Sequence, residues 1–257
     1  MVKFQEFVPS SSTEVKSSYD KTLGELAEKL WYFMEEDGLI KPTNFRSDGT
    51  AYLSRSSEFN PDETKKAFSE RTYKFFTDEF LKYLGRTEVA FVKADYLTAV
   101  DEEQRNLIHH SSRVPGILPS KSYQGGFWQS GIFHMDYGFD LHQYKFIIYI
   151  NDVDLDEGGI TFTNPLITPY LEDGTPRWEG VQENLKLNVK PIKTEDLDIV
   201  EYTGKKGTVV CFNSHIAHSA RLPLKGYRKA IHLVVPGPPA KEYERKPHPI
   251  YYKEFKN

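Results

Sequence analysis

The sequence has little cysteine and no long apolar run. Its single cysteine, Cys211, excludes an intramolecular disulfide and favours a reducing, cytoplasmic setting. The longest apolar runs, such as FIIYI, are far shorter than the roughly 20 residues that a membrane-spanning helix needs. The opening stretch MVKFQEFVPSSSTE also lacks the apolar segment of a signal peptide. We therefore expect a cytoplasmic protein that does not contact a membrane.

The sequence also lacks an excess of charge of either sign. It carries 33 Lys and Arg residues against 37 Asp and Glu residues, for a net charge of −4. A surface that binds nucleic acid needs a clear basic excess, so we expect no nucleic-acid partner. A chain of 257 residues without internal repeats is expected to form one domain with a sizeable core. The oligomeric state stays open.

Residues 1–86 are predicted to be a helical segment that braces the rest of the domain. Residues 1–19 are polar and are predicted to be irregular. Residues 20–36, DKTLGELAEKLWYFMEE, repeat apolar side chains at three- and four-residue steps, as an amphipathic helix does. A second helix is predicted from the capping sequence NPDE at 60–63 to about residue 84.

Residues 87–236 change in character to short apolar strands separated by Gly, Asp and Pro. These strands are EVAFVKADYLTAV, GIFHMD, YKFIIYIN, GGITFTN, GTVVCFN and YRKAIHLVV. Such a pattern is typical of a sandwich or barrel such as a jelly roll. We predict a mainly β fold with flanking helices (α+β), with a long loop at 101–129. An insert of about 164–204 is expected to be functional or lid-like, and residues 237–257 form an extended tail.

The stretch GIFHMDYGFD places His134 and Asp136 two positions apart. Alternate side chains of a strand point to the same face, so this imidazole and carboxylate can project together into one cavity. Met135, between them, points the other way. The pair is half of a metal site, and the other half has to come from elsewhere in the chain.

The second half is predicted near the strand GTVVCFN, which His215 and His218 follow. Two imidazoles and one carboxylate on one face of a metal leave three open positions, as in non-haem Fe(II) oxygenases. Ten residues after His218, Arg228 shares a strand face with Ala230 and His232, while the alternate positions are apolar and suit packing against helices. A buried guanidinium needs an anion, which a dicarboxylate cosubstrate would supply.

The ordered set of HMD, a long gap, H, ten residues and R resembles the Fe(II)/2-oxoglutarate-dependent dioxygenases. More closely, it resembles the phytanoyl-CoA dioxygenase-like family. The stretches FMEEDGLI, FIIYINDVDLDEGGITFTNP and GTVVCFNSHIAHSARLPLKGYRKAIHLVV carry the likeness, which covers roughly residues 20–40 and 87–236. The resemblance implies a double-stranded β-helix, or jelly roll. It also implies Fe(II), 2-oxoglutarate and O2 as cofactors and cosubstrates, with succinate and CO2 as co-products.

The resemblance also implies roles for individual residues. His134, Asp136 and His218 match the iron ligands, and Arg228 matches the residue that grips the far carboxylate of 2-oxoglutarate. The ten-residue step to Arg228 favours His218 over His215. Because Asp136 is present, where related halogenases carry a small residue, the resemblance implies oxygen transfer, usually hydroxylation.

One position departs from the family pattern. Members often place Ser or Thr two residues after the arginine, whereas this chain has Ala230, so another group must complete the carboxylate pocket. Tyr149 and Thr161 are candidates, because they lie on strands that should line the barrel.

Candidate substrate contacts are less specific. Aromatic residues that flank the metal pair, an inward-facing histidine and two loop arginines could line a pocket or meet an anionic group: Trp128, Phe133, Tyr137, His232, Arg113 and Arg177. Plain core packing fits the aromatic residues as well, a hydrogen-bonded core position fits the histidine, and surface charge fits the arginines. His109 and His110 lie in a polar loop and are expected to be solvated.

Three functions remain open at this point. The first is an oxygenase that hydroxylates an unactivated C–H of a small molecule, such as an amino acid, a natural-product intermediate or an acyl group. A protein or peptide hydroxylase is the second, and a wide cleft beside the metal would favour it. A non-catalytic jelly-roll binding protein is the third, although an intact triad with Arg228 argues against it, since folding needs neither.

Overall fold

The computed structural model describes residues 3–44, 53–120, 131–136, 143–171, 173, 175–179 and 186–236. Most strands belong to two antiparallel sheets. The large sheet has the order β1-β12-β6-β14-β4-β3-β2, and the small sheet has the order β11-β7-β13. The large-sheet strands are β1 (Val15–Tyr19), β2 (Lys41–Asn44), β3 (Leu53–Phe59), β4 (Phe91–Thr98), β6 (Gln143–Tyr149), β12 (Thr208–Asn213) and β14 (Tyr227–Pro236).

The small sheet and two short strand pairs complete the β structure. The small-sheet strands are β7 (Ile160–Thr163), β11 (Ile199–Tyr202) and β13 (His218–Ala220). The short pairs are parallel β5 (Ile117–Leu118) with β10 (Ile192–Lys193), and antiparallel β8 (Trp178–Glu179) with β9 (Lys186–Leu187). From β6 onward the chain passes from the large sheet to the small one and back twice. That winding is the arrangement of a jelly roll.

The helices lie mainly before β4. Among the described residues they are α1 (Phe4–Phe7), α2 (Lys21–Glu36), α3 (Pro61–Ala67), α4 (Glu70–Phe75), a π-helical stretch (Phe76–Leu81), α5 (Lys82–Leu84) and, after β4, α6 (Glu102–His109), with a 3-10 turn at Thr194–Asp196. The side chain of Asp20 caps α2 by accepting a hydrogen bond from the Leu23 amide at 2.8 Å. Within the described part of the chain, no helix is both long enough and apolar enough to cross a membrane.

Two hydrophobic cores lie on opposite faces of the large sheet. On the outer face, apolar residues of α2 such as Leu30 pack with alternate residues of the sheet such as Phe146 and Leu233. On the inner face, the remaining alternate residues meet the small sheet, as Ile147 does with Phe162. The inner face therefore also carries the polar residues of β4, β6 and β14, and it positions the candidate site.

The N-terminal segment differs from its prediction. Residues 1–19 are not irregular throughout, because α1 forms and β1 pairs with β12 along its length. The segment 1–86 also contributes β2 and β3 to the large sheet, so it is not only helical. The helix predicted from 60 to about 84 breaks at Phe68, where ψ is 140°. Pairing with sheet edges, which the local pattern does not encode, accounts for the strands.

Two predicted loops also contain regular structure. The loop at 101–129 includes α6, which Asp101 caps by accepting from the Gln104 amide at 2.8 Å. The insert predicted at 164–204 is shorter than expected, because residues 199–202 form β11 and pair with β7. The tail at 237–257 lies outside the described residues.

Candidate metal and cosubstrate site

The structure brings His134, Asp136 and His218 together. The His134 and His218 backbones pair in both directions, with N–H to O=C distances of 3.0 and 2.9 Å. The Asp136 amide donates to the Ser214 carbonyl at 3.1 Å, which fixes the carboxylate beside them. One ligand atom from each of the three residues lies within 4.8 Å of the others. In the described part of the chain, this is the one cluster of three or more such groups that could hold a metal ion.

Backbone carbonyls fix the tautomers of both imidazoles. His134 Nδ1 lies 2.7 Å from the Ile132 carbonyl, and His218 Nδ1 lies 2.7 Å from the Ile216 carbonyl. A carbonyl only accepts, so each Nδ1 carries a proton, and in the neutral ring the lone pair is then on Nε2. The two Nε2 atoms lie 3.5 and 3.6 Å from the Asp136 oxygens. With both rings neutral, the three residues present two Nε2 lone pairs and one carboxylate, which are ligand types of a metal site.

The protonation states suit the same chemistry. Burial lowers the pKa of His218 well below its usual value, and the nearby Lys145 charge lowers it further, so the imidazole is neutral at physiological pH. Burial alone would raise the pKa of Asp136, but nearby positive charge, chiefly that of Lys145, outweighs it and holds that pKa well below its usual value. A neutral His218 imidazole and an ionised Asp136 carboxylate are the forms of these two residues that bind a metal ion.

Lys145, which the sequence interpretation missed, also reaches this cluster. Its Nζ lies 2.7 Å from Asp136 Oδ2 and 3.1 Å from His218 Nε2. A signal was present in the stretch YKFIIYIN, where alternation places Lys145 on the same strand face as Ile147 and Tyr149. A lysine on the inward face of an otherwise apolar strand needs an acceptor inside the protein.

Arg228 is fully buried and already has one anionic partner. Its Nη2 donates to Asp95 Oδ2 at 2.7 Å, while Nε and Nη1 meet no acceptor among the described residues. Lys93 Nζ and His232 Nε2 each lie 3.8 Å from an Asp95 oxygen. The unsatisfied N–H groups fit a further anion, such as the far carboxylate of a dicarboxylate. Asp95 was missed because it lies more than 130 residues from Arg228.

Tyr149 lies beside Arg228, whereas Thr161 is engaged elsewhere. The Tyr149 hydroxyl donates to the Tyr202 carbonyl at 2.7 Å and accepts from the Ile160 amide at 3.0 Å. Burial raises the pKa of Tyr149 to about 12, against the opposing effect of the Arg228 charge. The Thr161 hydroxyl lies within hydrogen-bond distance of the Ser219 carbonyl and hydroxyl, at 3.0 and 2.6 Å.

The other predicted contacts lie in varied places. Phe133 is fully buried in a core cluster with Met135 and Trp178, while Arg113 is exposed. Arg177 donates through Nε to the Thr168 carbonyl at 2.7 Å. Trp128 and Tyr137 lie outside the described residues.

Of the histidines that the structure describes, three outside the triad are buried: His109, His215 and His232. His232 is buried, and burial together with the Lys93 and Arg228 charges lowers its pKa well below the usual value. His215 is buried as well, but it is not part of the triad cluster. His109 was expected to be solvated, and that prediction is wrong. It ends α6 at 8 % exposure, where burial lowers its pKa to about 3.

Comparisons with known proteins return structural likeness only. No protein-family model matches the chain, and no curated protein matches it. Solved structures similar to it include EctD from S. alaskensis with bound Fe (11 % identity, 88 % of this chain and 73 % of that one, TM-score 0.45). Another is the epimerase SnoN in complex with Fe3+, α-ketoglutarate and nogalamycin RO (13 % identity, 88 % of this chain and 80 % of that one, TM-score 0.47). A third is the non-heme α-ketoglutarate-dependent carbocyclase SnoK (9 % identity, 96 % of this chain and 90 % of that one, TM-score 0.48). At TM-scores below 0.5, these likenesses add no weight to any role of the site, which therefore depends on its own geometry.

Proposed function

We propose that this protein is an Fe(II)- and 2-oxoglutarate-dependent oxygenase of the phytanoyl-CoA dioxygenase-like type that hydroxylates an unactivated C–H of a small molecule. The observation that carries the proposal is the convergence of two imidazole nitrogens and one carboxylate, the ligand set of a facial triad. These ligand atoms all lie within 4.8 Å of one another. The unsatisfied N–H groups of Arg228, on the same inner face, add a place for an anionic cosubstrate.

In this proposal each residue has a role that its contacts support. His134, Asp136 and His218 would hold the metal, and the Ile132 and Ile216 carbonyls keep the two imidazoles in the ligating tautomer. Bound ferrous iron with 2-oxoglutarate would supply the oxidising chemistry, with O2 consumed and succinate and CO2 formed.

Residues around the triad support this chemistry. Arg228 would bind and orient the far carboxylate of the cosubstrate beside the neutral phenol of Tyr149. The rings of Phe162 and Phe212, with centroids 6.3 and 4.8 Å from that of His218, keep water from this side of the site.

Anaerobic metal and cosubstrate binding tests the proposal. We expect the purified protein with Fe(II) and 2-oxoglutarate under argon to show the weak visible charge-transfer band of a chelated ketoacid. Mn(II) binding, followed by calorimetry, should be lost in His218→Ala because one of three ligands is gone. His215→Ala is the matched control: it removes a buried imidazole from the same segment but not from the cluster, and should at most weaken metal binding.

The outcomes separate the alternatives. A wild-type protein that binds neither metal nor 2-oxoglutarate would contradict the oxygenase and leave the non-catalytic binding protein. Succinate formation with a panel of small molecules would support the proposed substrate class. Succinate formation with peptides alone would identify the protein hydroxylase instead.

A further inference from the structure

The Lys145 ammonium occupies the acceptor cluster that we assign to the metal. We infer that Lys145 and a divalent metal ion are alternative occupants of this cluster, so that metal binding displaces the ammonium from His218. The inference rests on the proposed metal site and adds to it a built-in competitor for the metal. The observation behind it is the position of Lys145 Nζ, 3.1 Å from His218 Nε2 and 2.7 Å from Asp136 Oδ2.

The conflict arises at a single lone pair. His218 Nδ1 donates to the Ile216 carbonyl, so Nε2 has the only lone pair of the ring. A metal bond would place a cation about 2 Å from this nitrogen, along the direction in which the ammonium now lies. One lone pair cannot serve both cations, and the two positive charges would repel. Asp136 has two oxygens and could keep the ammonium on one of them, but His218 has no second site to offer.

The surrounding charges explain why Lys145 takes this position. Lys145 is about nine-tenths buried, and its acceptors among the described residues are Asp136 and His218. The other inward cations of the large sheet, Lys93 and Arg228, pair with Asp95 instead. Lys145 is thus the cation that balances the buried Asp136 carboxylate. It keeps the ligands together in the metal-free protein, and any metal must compete with it.

Metal titration of Lys145→Met tests the inference. Methionine keeps most of the side-chain volume and removes the charge. We expect the variant to bind Mn(II) at least about tenfold more tightly than the wild type, because no ion contact has to be broken first. The metal-free variant should melt at a lower temperature, since Asp136 loses its partner, and added Mn(II) should raise its melting temperature more than that of the wild type.

Two further variants keep the test decisive. Lys93→Met removes the other inward lysine, which faces Asp95 rather than the triad, and should leave Mn(II) affinity within about threefold of wild type. If Lys145→Met fails to fold, Lys145→Gln also removes the charge while keeping a donor for Asp136. Unchanged or weaker Mn(II) binding in the neutral variants would overturn the displacement. Loss of Mn(II) binding in the wild type and the variants alike would instead overturn the metal site.

Discussion

At the scale of single residues, Asp95 sets the conditions under which Arg228 can bind a cosubstrate. The Arg228–Asp95 pair is buried and 2.7 Å long, and the two residues also bring together β14 and β4. A dicarboxylate would therefore share the guanidinium with a protein carboxylate. Arg228 consequently has a structural role as well as the binding role that we propose.

Replacing Arg228 should weaken cosubstrate binding more than metal binding. In Arg228→Gln we expect 2-oxoglutarate affinity, measured by calorimetry with Mn(II) present, to fall at least about 100-fold through loss of a buried charged partner. Mn(II) affinity should stay within a few-fold, because Arg228 pairs with Asp95 and not with the triad. The free energy of unfolding should fall by about 3 kcal/mol or more, since Asp95 is left buried beside one lysine.

Two further variants test whether Arg228 binds the cosubstrate. Arg228→Lys keeps the charge, and so guards against a variant that does not fold, but it loses the planar pair of donors and should bind 2-oxoglutarate weakly. Exposed Arg113→Gln should match the wild type in both affinities. Unchanged cosubstrate affinity in Arg228→Gln would show that a different residue holds the carboxylate.

His109 makes stability depend on pH. Its pKa is about 3 in the folded protein because of burial and the Arg105 charge, against about 6.5 in the unfolded chain. Above pH 6.5 both states are neutral, and the stability is fully present. As the pH falls from 6.5 towards 3, the unfolded chain binds a proton that the folded protein does not. Stability is then lost by up to about 1.4 kcal/mol per pH unit.

Removal of this imidazole should flatten the pH profile. Urea unfolding of His109→Gln between pH 6 and 4 should show a smaller loss of stability than the wild type. Between pH 7 and 8, the two proteins should differ only by a constant offset. Parallel profiles at all pH values would mean that His109 takes up its proton equally in both states.

At the scale of elements, a glycine sets the distance between α2 and the turn before β12. A Cβ built at Gly24 would lie 2.5 Å from the Gly207 Cα, which is backbone and cannot rotate away. Gly207 itself has a φ of +91°, so this turn also favours glycine. The helix thus lies directly against the backbone of the large-sheet connection, with no side chain between them.

Gly24→Ala should therefore destabilise the protein although alanine favours helices. The gain in helix propensity is about 1 kcal/mol, whereas overpacking against fixed backbone costs about 1–3 kcal/mol and here exceeds the gain. Chemical denaturation should show a net loss of about 1–2 kcal/mol. Glu25→Ala, at the next and exposed position of the same helix, should change stability by less than about 0.5 kcal/mol. A more stable Gly24→Ala variant would mean that the helix moves freely away from the turn.

Sequence patterns predicted the elements whose signal is local. Strand alternation in YRKAIHLVV put Arg228 and His232 on one face and the apolar residues on the other, in agreement with the two cores. The spacing of His134 and Asp136, with His218 before Arg228, indicated residues that do converge. Partners chosen by the packing of distant strands could not be predicted. Asp95 meets Arg228 because β4 and β14 lie side by side, and Lys145 meets Asp136 because the Ser214 backbone bonds to both Asp136 and Gln143, the first residue of β6.

At the scale of the whole molecule, the candidate site joins the two sheets. His218 lies on the small sheet and pairs with His134, while Lys145 and Arg228 rise from the large sheet. A ligand that contacts both groups binds only when the sheets are packed, so it should stabilise the entire fold by mass action. The outer core with α2 supports the large sheet from the opposite side, so the site depends on packing at both faces.

The strand β1 covers an edge of the large sheet, so its removal would expose that edge. β1 is half polar and covers the edge of β12, whose residues are buried throughout. Without β1, the chain would present the stretch TVVCFN as a bare apolar edge with unpaired amides and carbonyls. Such an edge recruits strands from other molecules and starts aggregation. β1 thus protects this edge of β12, and its removal by a protease or by truncation would expose the edge and promote self-association.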